Sequence, residues 1–208
     1  MKKGLFITIE GPDGAGKTTQ IDNIERYFAE RGRTVVRTRE PGGTSIGEKL
    51  RAVLLDPANT EMSPITEMLI YAAARAQHVA EKIRPAIDRG DVVICDRFMD
   101  SSIAYQGYGR GLGECVRDVN LIAVDGVLPD ITFLMDLDPA KGLARIAANR
   151  GTEDRLEREA LDFHYRIYEG FLALCDEPGT AMVRIDADRT VEEIKADIYA
   201  KLDEIVTG

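Results

Sequence analysis

The chain is poor in the residues that build metal and disulfide frameworks. Its 208 residues hold three cysteines and two histidines. Cys95, Cys115 and Cys175 are odd in number and form no C-x-x-C pair. They read as reduced thiols, which points to a cytoplasmic protein. With only His78 and His164 to assist them, a zinc site is not expected. No run approaches the roughly 20 apolar residues of a membrane span. The apolar run after Met1-Lys2-Lys3 stops at Glu10, too soon for a secretory signal, so no membrane partner is expected. Positive charge is also short, with 27 Lys and Arg against 36 Asp and Glu, a net charge of -9. Such a surface repels nucleic acid on average, and no nucleic-acid partner is expected. A small anionic ligand needs only a few local cations and stays open. Internal repeats, low-complexity tracts and Pro/Ser-rich linkers are absent, so a single domain over residues 1–208 is expected.

Hydrophobic residues are 44% of the chain, enough for a proper core. Five short apolar runs recur, each introduced by Gly or Pro or ended by a Gly-containing turn: residues 5–9, 34–36, 92–95, 131–135 and 181–185. They read as buried strands of a mainly parallel sheet. Helical stretches lie between them, among them 19–31 and 64–88. The last, 191–206, carries Val191, Ile194, Ile198, Leu202 and Ile205 at helical spacing. Strand and helix in alternation predict a doubly wound α/β fold.

The strongest local signal is Gly11-Pro12-Asp13-Gly14-Ala15-Gly16-Lys17-Thr18, which fits G-x-x-x-x-G-K-[ST] at every fixed position. A strand runs into it and an amphipathic helix follows. Glycines let backbone wrap closely around a phosphate, and the helix N-terminus favours an anion. Residues 11–18, with Thr19, are therefore the expected ATP site of a P-loop NTPase-type fold. Lys17 is expected at the β- and γ-phosphates, and the Thr18 hydroxyl on Mg²⁺.

A P-loop does not fix the reaction. The N-K-x-D guanine motif of GTPases is missing. A small-molecule kinase needs an acceptor pocket, cations for the acceptor, and a cationic cover for the transferred group. Asp96 and Arg97 follow the 92–95 strand at its C-terminal end, where ligands bind in open α/β sheets. Arg145, Arg150, Arg155 and Arg158 cluster after the 131–135 strand, broken by Gly151. The charged run 149–159 alone reads as a solvated helix face. Beside a P-loop it reads as a helical lid, about residues 141–158, able to carry an arginine over the γ-phosphate.

Longer segments resemble one family, the thymidylate kinases. They are Glu10 to Thr19 at the P-loop, Thr38-Arg39-Glu40-Pro41-Gly42-Gly43-Thr44, the run from Asp96-Arg97-Phe98 through Tyr105-Gln106-Gly107, then Asp154-Arg155-Leu156-Glu157 and Asp162-Phe163-His164. They occur in order over most of the chain. The resemblance implies transfer of phosphate from MgATP to dTMP, giving dTDP. It implies that Arg97, with Arg51 nearby, holds the dTMP phosphate, and that Asp13 sits near the acceptor sugar. Tyr71 would stack on thymine and Arg75 would donate to its O4. Ser102 and Gln106 would complete base recognition, and Tyr105 would crowd the sugar 2′ position. Asp96 would orient the site or reach the metal through water. It further implies a homodimer whose interface is made by helices.

Two departures stand out. The P-loop carries no arginine, so the compensating charge is expected from the lid, from Arg150 or Arg155. Phe98 stands where Tyr or His is common. Glu40 either positions a metal-bound water or pairs with Arg39. Two rival readings remain open from the residues alone: a P-loop kinase of another nucleoside monophosphate or of a deoxynucleoside, and a regulatory module that binds ATP without transfer.

Overall fold

Five parallel strands form one sheet in a computed structural model that describes residues 4–149 and 155–207. They are β1 (Leu5–Glu10), β2 (Val35–Arg39), β3 (Val92–Asp96), β4 (Ile131–Asp136) and β5 (Met182–Asp186), in the order β2-β3-β1-β4-β5. All five expected runs are strands, and every pairing is parallel. Strand residues alternate between two cores. Phe6, Val93, Cys95 and Leu134 face one side, and Ile7, Ile9, Val92, Ile94, Phe133 and Met135 the other. Both faces are covered, which is why the runs read as continuously apolar.

The second face is closed by α1 (Lys17–Ala29) and α9 (Val191–Thr207), through Ile21, Ile24 and Phe28 and through Ile194, Ile198 and Leu202. The first face is closed by α3 (Pro64–His78) and α8 (Leu161–Cys175), with Met68, Phe163, Ile167 and Phe171 in its core. Also present are α2 (Ser45–Leu55), α4 (Arg84–Asp88), α5 (Met99–Ser102), α6 (Cys115–Val124) and α7 (Pro139–Asn149).

The stretch 64–88 is helical throughout, but not uniformly α. Between α3 and α4 the chain widens into a π-helical turn, Val79–Ile83, and Arg84 donates its N–H to Val79, five residues back. Pro85 lacks an N–H, and its ring crowds the carbonyl four residues earlier; a local widening relieves that conflict. A second π-helical segment, Ile103–Gly109, follows α5 and is tied by the Arg110 N–H to Tyr105 O at 2.9 Å.

Strand β1 sits centrally, with β3 on one flank and β4 on the other. Ligand crevices form outside the carboxyl ends of such strands where the connections diverge. Three loops leave that edge: the P-loop after β1, Arg97 after β3, and the start of α7 after β4.

Candidate active site

The P-loop wraps because its glycines take left-handed backbone, with φ of 129° at Gly11, 77° at Gly14 and 84° at Gly16. Gly14 must also lack a Cβ for a second reason. Such an atom would meet Gly142 O of α7 at 2.2 Å. The first turn of α7 therefore seats directly on the phosphate loop. Gly16 caps α1 without a side-chain hydrogen bond, which leaves the first N–H groups of α1 for an anion. Lys17 curls back and donates to Gly11 O at 3.1 Å and Pro12 O at 2.9 Å. Burial pushes its ammonium pKa down and nearby Arg97 adds to that, while Asp13 opposes them.

Arg97 takes φ 67°, a left-handed conformation that costs a non-glycine residue about 1–2 kcal/mol. The buried carboxylate of Glu10 holds the loop in that shape. Glu10 Oε1 accepts from the N–H groups of Phe98 at 2.7 Å and Ser101 at 3.2 Å, and Oε2 accepts from the Ser101 hydroxyl at 2.5 Å. Arg97 N–H also donates to Ile9 O at 2.9 Å, tying the loop to β1. The turn aims the guanidinium at the P-loop, where it donates to Asp13 Oδ1 at 2.5 Å and to Ser101 Oγ at 3.1 Å. Asp13 Oδ2 accepts from the Tyr105 hydroxyl at 3.2 Å. Burial alone would raise the Asp13 pKa, but Arg97 and Lys17 hold it well below the usual carboxylate range.

These groups line one cleft of about 540 Å³, a normal size for a small-molecule site. Asp13, Gly14, Gly16, Lys17, Thr18, Arg51, Tyr71, Arg75, Asp96, Arg97, Ser102, Tyr105 and Gln106 all reach it. Gly11, Pro12, Ala15 and Thr19 belong to the loop and the first turn of α1 but do not line the cleft. Arg51 on α2 donates to Pro41 O at 2.9 Å. Phe98 packs edge-on against Phe6, ring centres 5.0 Å apart.

The cationic cover differs from expectation. Arg150 lies outside the described residues. Arg155 does not line the cleft; it donates to Glu67 Oε2 at 2.6 Å and Leu54 O at 2.8 Å. The reason is Glu67, a carboxylate only 1% exposed, which draws in whatever guanidinium can reach it. Arg158 is exposed and also outside the lining. Arg145 on α7 does line the cleft, 3.5 Å from Gly14 O.

Glu40 lines the cleft but does not pair with Arg39. Arg39 pairs instead with Glu48, at 2.9 and 3.0 Å. Glu40 is buried between Arg75 Nε at 2.8 Å and His78 Nδ1 at 2.9 Å, and His78 Nε2 lies 2.7 Å from Thr38 Oγ1. Arg75 also donates to Ser102 Oγ and Phe98 O at 2.9 Å, and to Asn120. It is 1% exposed and fixed in aim before any ligand arrives.

The residues suit magnesium. Asp96 Oδ1 is buried and has no hydrogen-bond partner, and Asp96 and Thr18 are hard oxygen donors on the same cleft. No group of three or more His, Cys, Asp or Glu that could hold a metal occurs among the described residues. Mg²⁺ is commonly held by one or two protein oxygens together with substrate phosphates and water.

The sequence profile of the thymidylate kinase family matches residues 9–198. The chain belongs to the thymidylate kinase family. It is 48% identical over 206 residues to the thymidylate kinase of Geobacillus sp. (strain WCH70), covering 98% of each chain. It is 49% identical over 205 residues to that of Deinococcus radiodurans, again 98% of each. The crystal structure of thymidylate kinase from Ehrlichia chaffeensis superposes with a TM-score of 0.79 at 32% identity, covering 96% of this chain and 99% of that one. A thymidylate kinase is an enzyme, so the regulatory-module reading is not favoured. Three parts of this thymidylate kinase site escaped the sequence reading: the Glu10 clamp, the Glu40–His78 pair, and Glu67. Glu10 and Glu40 lie within the motifs, while Glu67 and His78 lie in the 64–88 helical stretch, and neither placement gives a direction of contact.

Proposed function

We propose that the two halves of the cleft hold the two substrates of the family's reaction, transfer of the γ-phosphoryl group of ATP to dTMP, giving dTDP and ADP. The observation that carries the reading is Arg97, forced into left-handed backbone and pointed across the cleft at the P-loop. ATP phosphates lie on residues 11–19, with Lys17 at the β- and γ-phosphates. The dTMP phosphate replaces Asp13 as a partner of Arg97, with Arg51 beside it. Thymine stacks on Tyr71, an interaction of the kind worth about 1–3 kcal/mol per base. Arg75 donates to O4, Ser102 and Gln106 complete the base site, and Tyr105 crowds the 2′ position.

The acceptor oxygen attacks the γ-phosphorus in line. Two unit negative charges about 4 Å apart repel by roughly 4 kcal/mol at an effective dielectric near 20. Lys17, Arg97 and a lid arginine offset this, with Arg145 and Arg150 the candidates. Arg155 would first have to leave Glu67. A strong general base is not needed, because a phosphate monoester has its second pKa near 6 and is largely ionised at neutral pH. Thr18, and Asp96 through water, would hold Mg²⁺, which when bound would supply charge neutralisation and orientation of the phosphates.

The chain works as one domain with a lid at about 141–158, in the cytoplasm. No helix among the described residues is long and apolar enough to cross a membrane. A homodimer is supported by α2, α3 and α6. These helices pack side by side, yet expose Val53, Ile65, Leu69, Leu121 and Ile122. A coupled assay with dTMP, dUMP, dCMP and thymidine tests the reading. Turnover is expected to be highest with dTMP, and equal turnover of thymidine would remove Arg97 from the acceptor phosphate.

A further inference from the structure

Gln106 and Glu67 share a hydrogen bond that sets which way the Gln106 amide faces. Gln106 lies in the π-helical segment 103–109 and is 1% exposed. Its Nε2 donates to Glu67 Oε1 at 2.9 Å. Its Oε1 is buried with no hydrogen-bond partner, and the residue lines the cleft. A buried amide oxygen left unpaired costs about 1–3 kcal/mol, so Gln106 is short of one donor at this point.

The orientation is not free. Ionised Glu67 is an acceptor only, so the Gln106 NH₂ must face it and the oxygen must face the other way. Glu67 is kept ionised by its surroundings. Arg110 donates to it through Nε at 3.2 Å and Nη2 at 3.0 Å, and Arg155 through Nη2 at 2.6 Å. Burial pushes the Glu67 pKa up, but the bonds from Arg110 and Gln106 outweigh it, and the net direction is down. Arg110 is itself held at its far end by Glu159 at 2.5 Å.

We infer that Glu67 is a positioning residue for base specificity: it fixes Gln106 as a hydrogen-bond acceptor toward the base, selecting a pyrimidine imide N3–H. Thymine and uracil carry a donor at N3. Cytosine carries a lone pair there, which would face the Gln106 oxygen across a desolvated gap. Sites that leave such groups opposed reject the wrong partner strongly. Arg75, clamped by Glu40, asks for an acceptor at the neighbouring ring position, so two buried carboxylates together set an acceptor–donor pattern. The inference rests on the dTMP-site reading above and adds Glu67 to it.

The test is the ratio of kcat/KM for dTMP to that for dCMP. In Glu67→Gln the new amide can offer its own NH₂ to Gln106, and nothing then forbids the flipped orientation. The ratio is expected to fall at least tenfold, carried by KM for the pyrimidine nucleotide, with KM for ATP unmoved. Because Arg110 loses its counter-charge in that variant, Glu67→Gln with Arg110→Gln is made beside it and should show the same fall. Gln106→Ala is the reference. If it lowers the ratio while both Glu67 variants keep the wild-type value, or lose kcat equally for both nucleotides, Glu67 is structural only and the inference is overturned. If Gln106→Ala leaves the ratio unchanged, the base-site reading itself fails and the inference falls with it.

Discussion

Replacing Glu10 should separate geometry from charge at the loop that aims Arg97. In Glu10→Ala the buried N–H groups of Phe98 and Ser101 lose their acceptor. Each unsatisfied buried donor costs about 1–3 kcal/mol, so a loss of roughly 2–6 kcal/mol is expected. Arg97 also loses the restraint on its left-handed turn, and KM for dTMP should rise more than KM for ATP. Glu10→Gln keeps an oxygen at the Oε1 position, removes the charge, and puts an NH₂ where Oε2 accepts from the Ser101 hydroxyl. Burial first, and the neighbouring carboxylate of Asp100 second, raise the Glu10 pKa from 4.5 to about 7. The native state therefore binds this proton more tightly than the unfolded chain. The Glu10 contribution to stability is full below about pH 4.5 and is lost as pH rises through about 7. One pH unit of displacement carries about 1.4 kcal/mol, so the full effect is at most roughly 3 kcal/mol. Urea unfolding followed by circular dichroism at pH 5, 6, 7 and 8 measures it. Glu10→Gln should gain on the wild type by about 1–3 kcal/mol between pH 5 and pH 8. A difference that stays flat, or runs the other way, would refute the reasoning.

Further outcomes follow from the same geometry. Lys17→Ala should lower kcat/KM by several orders of magnitude while the thermal midpoint stays within a few degrees, checked by steady-state kinetics and calorimetry. Asp96→Asn should raise the Mg²⁺ concentration needed for half-maximal rate. Its defect should persist at high pH, and recovery there would instead mark Asp96 as a proton acceptor. Leu69→Asp on the exposed face of α3 should shift a dimer to a monomer in light scattering, and an unchanged mass would remove that face from the interface.

The fold was legible because its signals are local. Five strands buried on both faces read as continuous apolar runs, and the glycines of residues 11–16 mark a turn that demands them. Widening at Val79–Ile83 was not legible, since Pro85 within a helical pattern signals a break as readily as a π turn. The P-loop residues and Arg97 were legible from motif and strand end, the acceptor-site residues came from resemblance, and their supports came from neither. Glu40 meets Arg75 across 35 positions, and Glu10 meets Phe98 across 88, distances at which spacing carries no information. An arginine beside a lid, Arg155, was assigned to phosphate, but a buried carboxylate 88 residues away claims it in the absence of ligand.

The most direct measurement is calorimetric binding of dTMP and of thymidine to the wild type and to Arg97→Met. The wild type should bind the monophosphate far more tightly than the nucleoside. In the variant that preference should fall toward one, with thymidine affinity little changed. A variant that keeps the wild-type preference would contradict the account, because the acceptor phosphate would then be held by something other than Arg97.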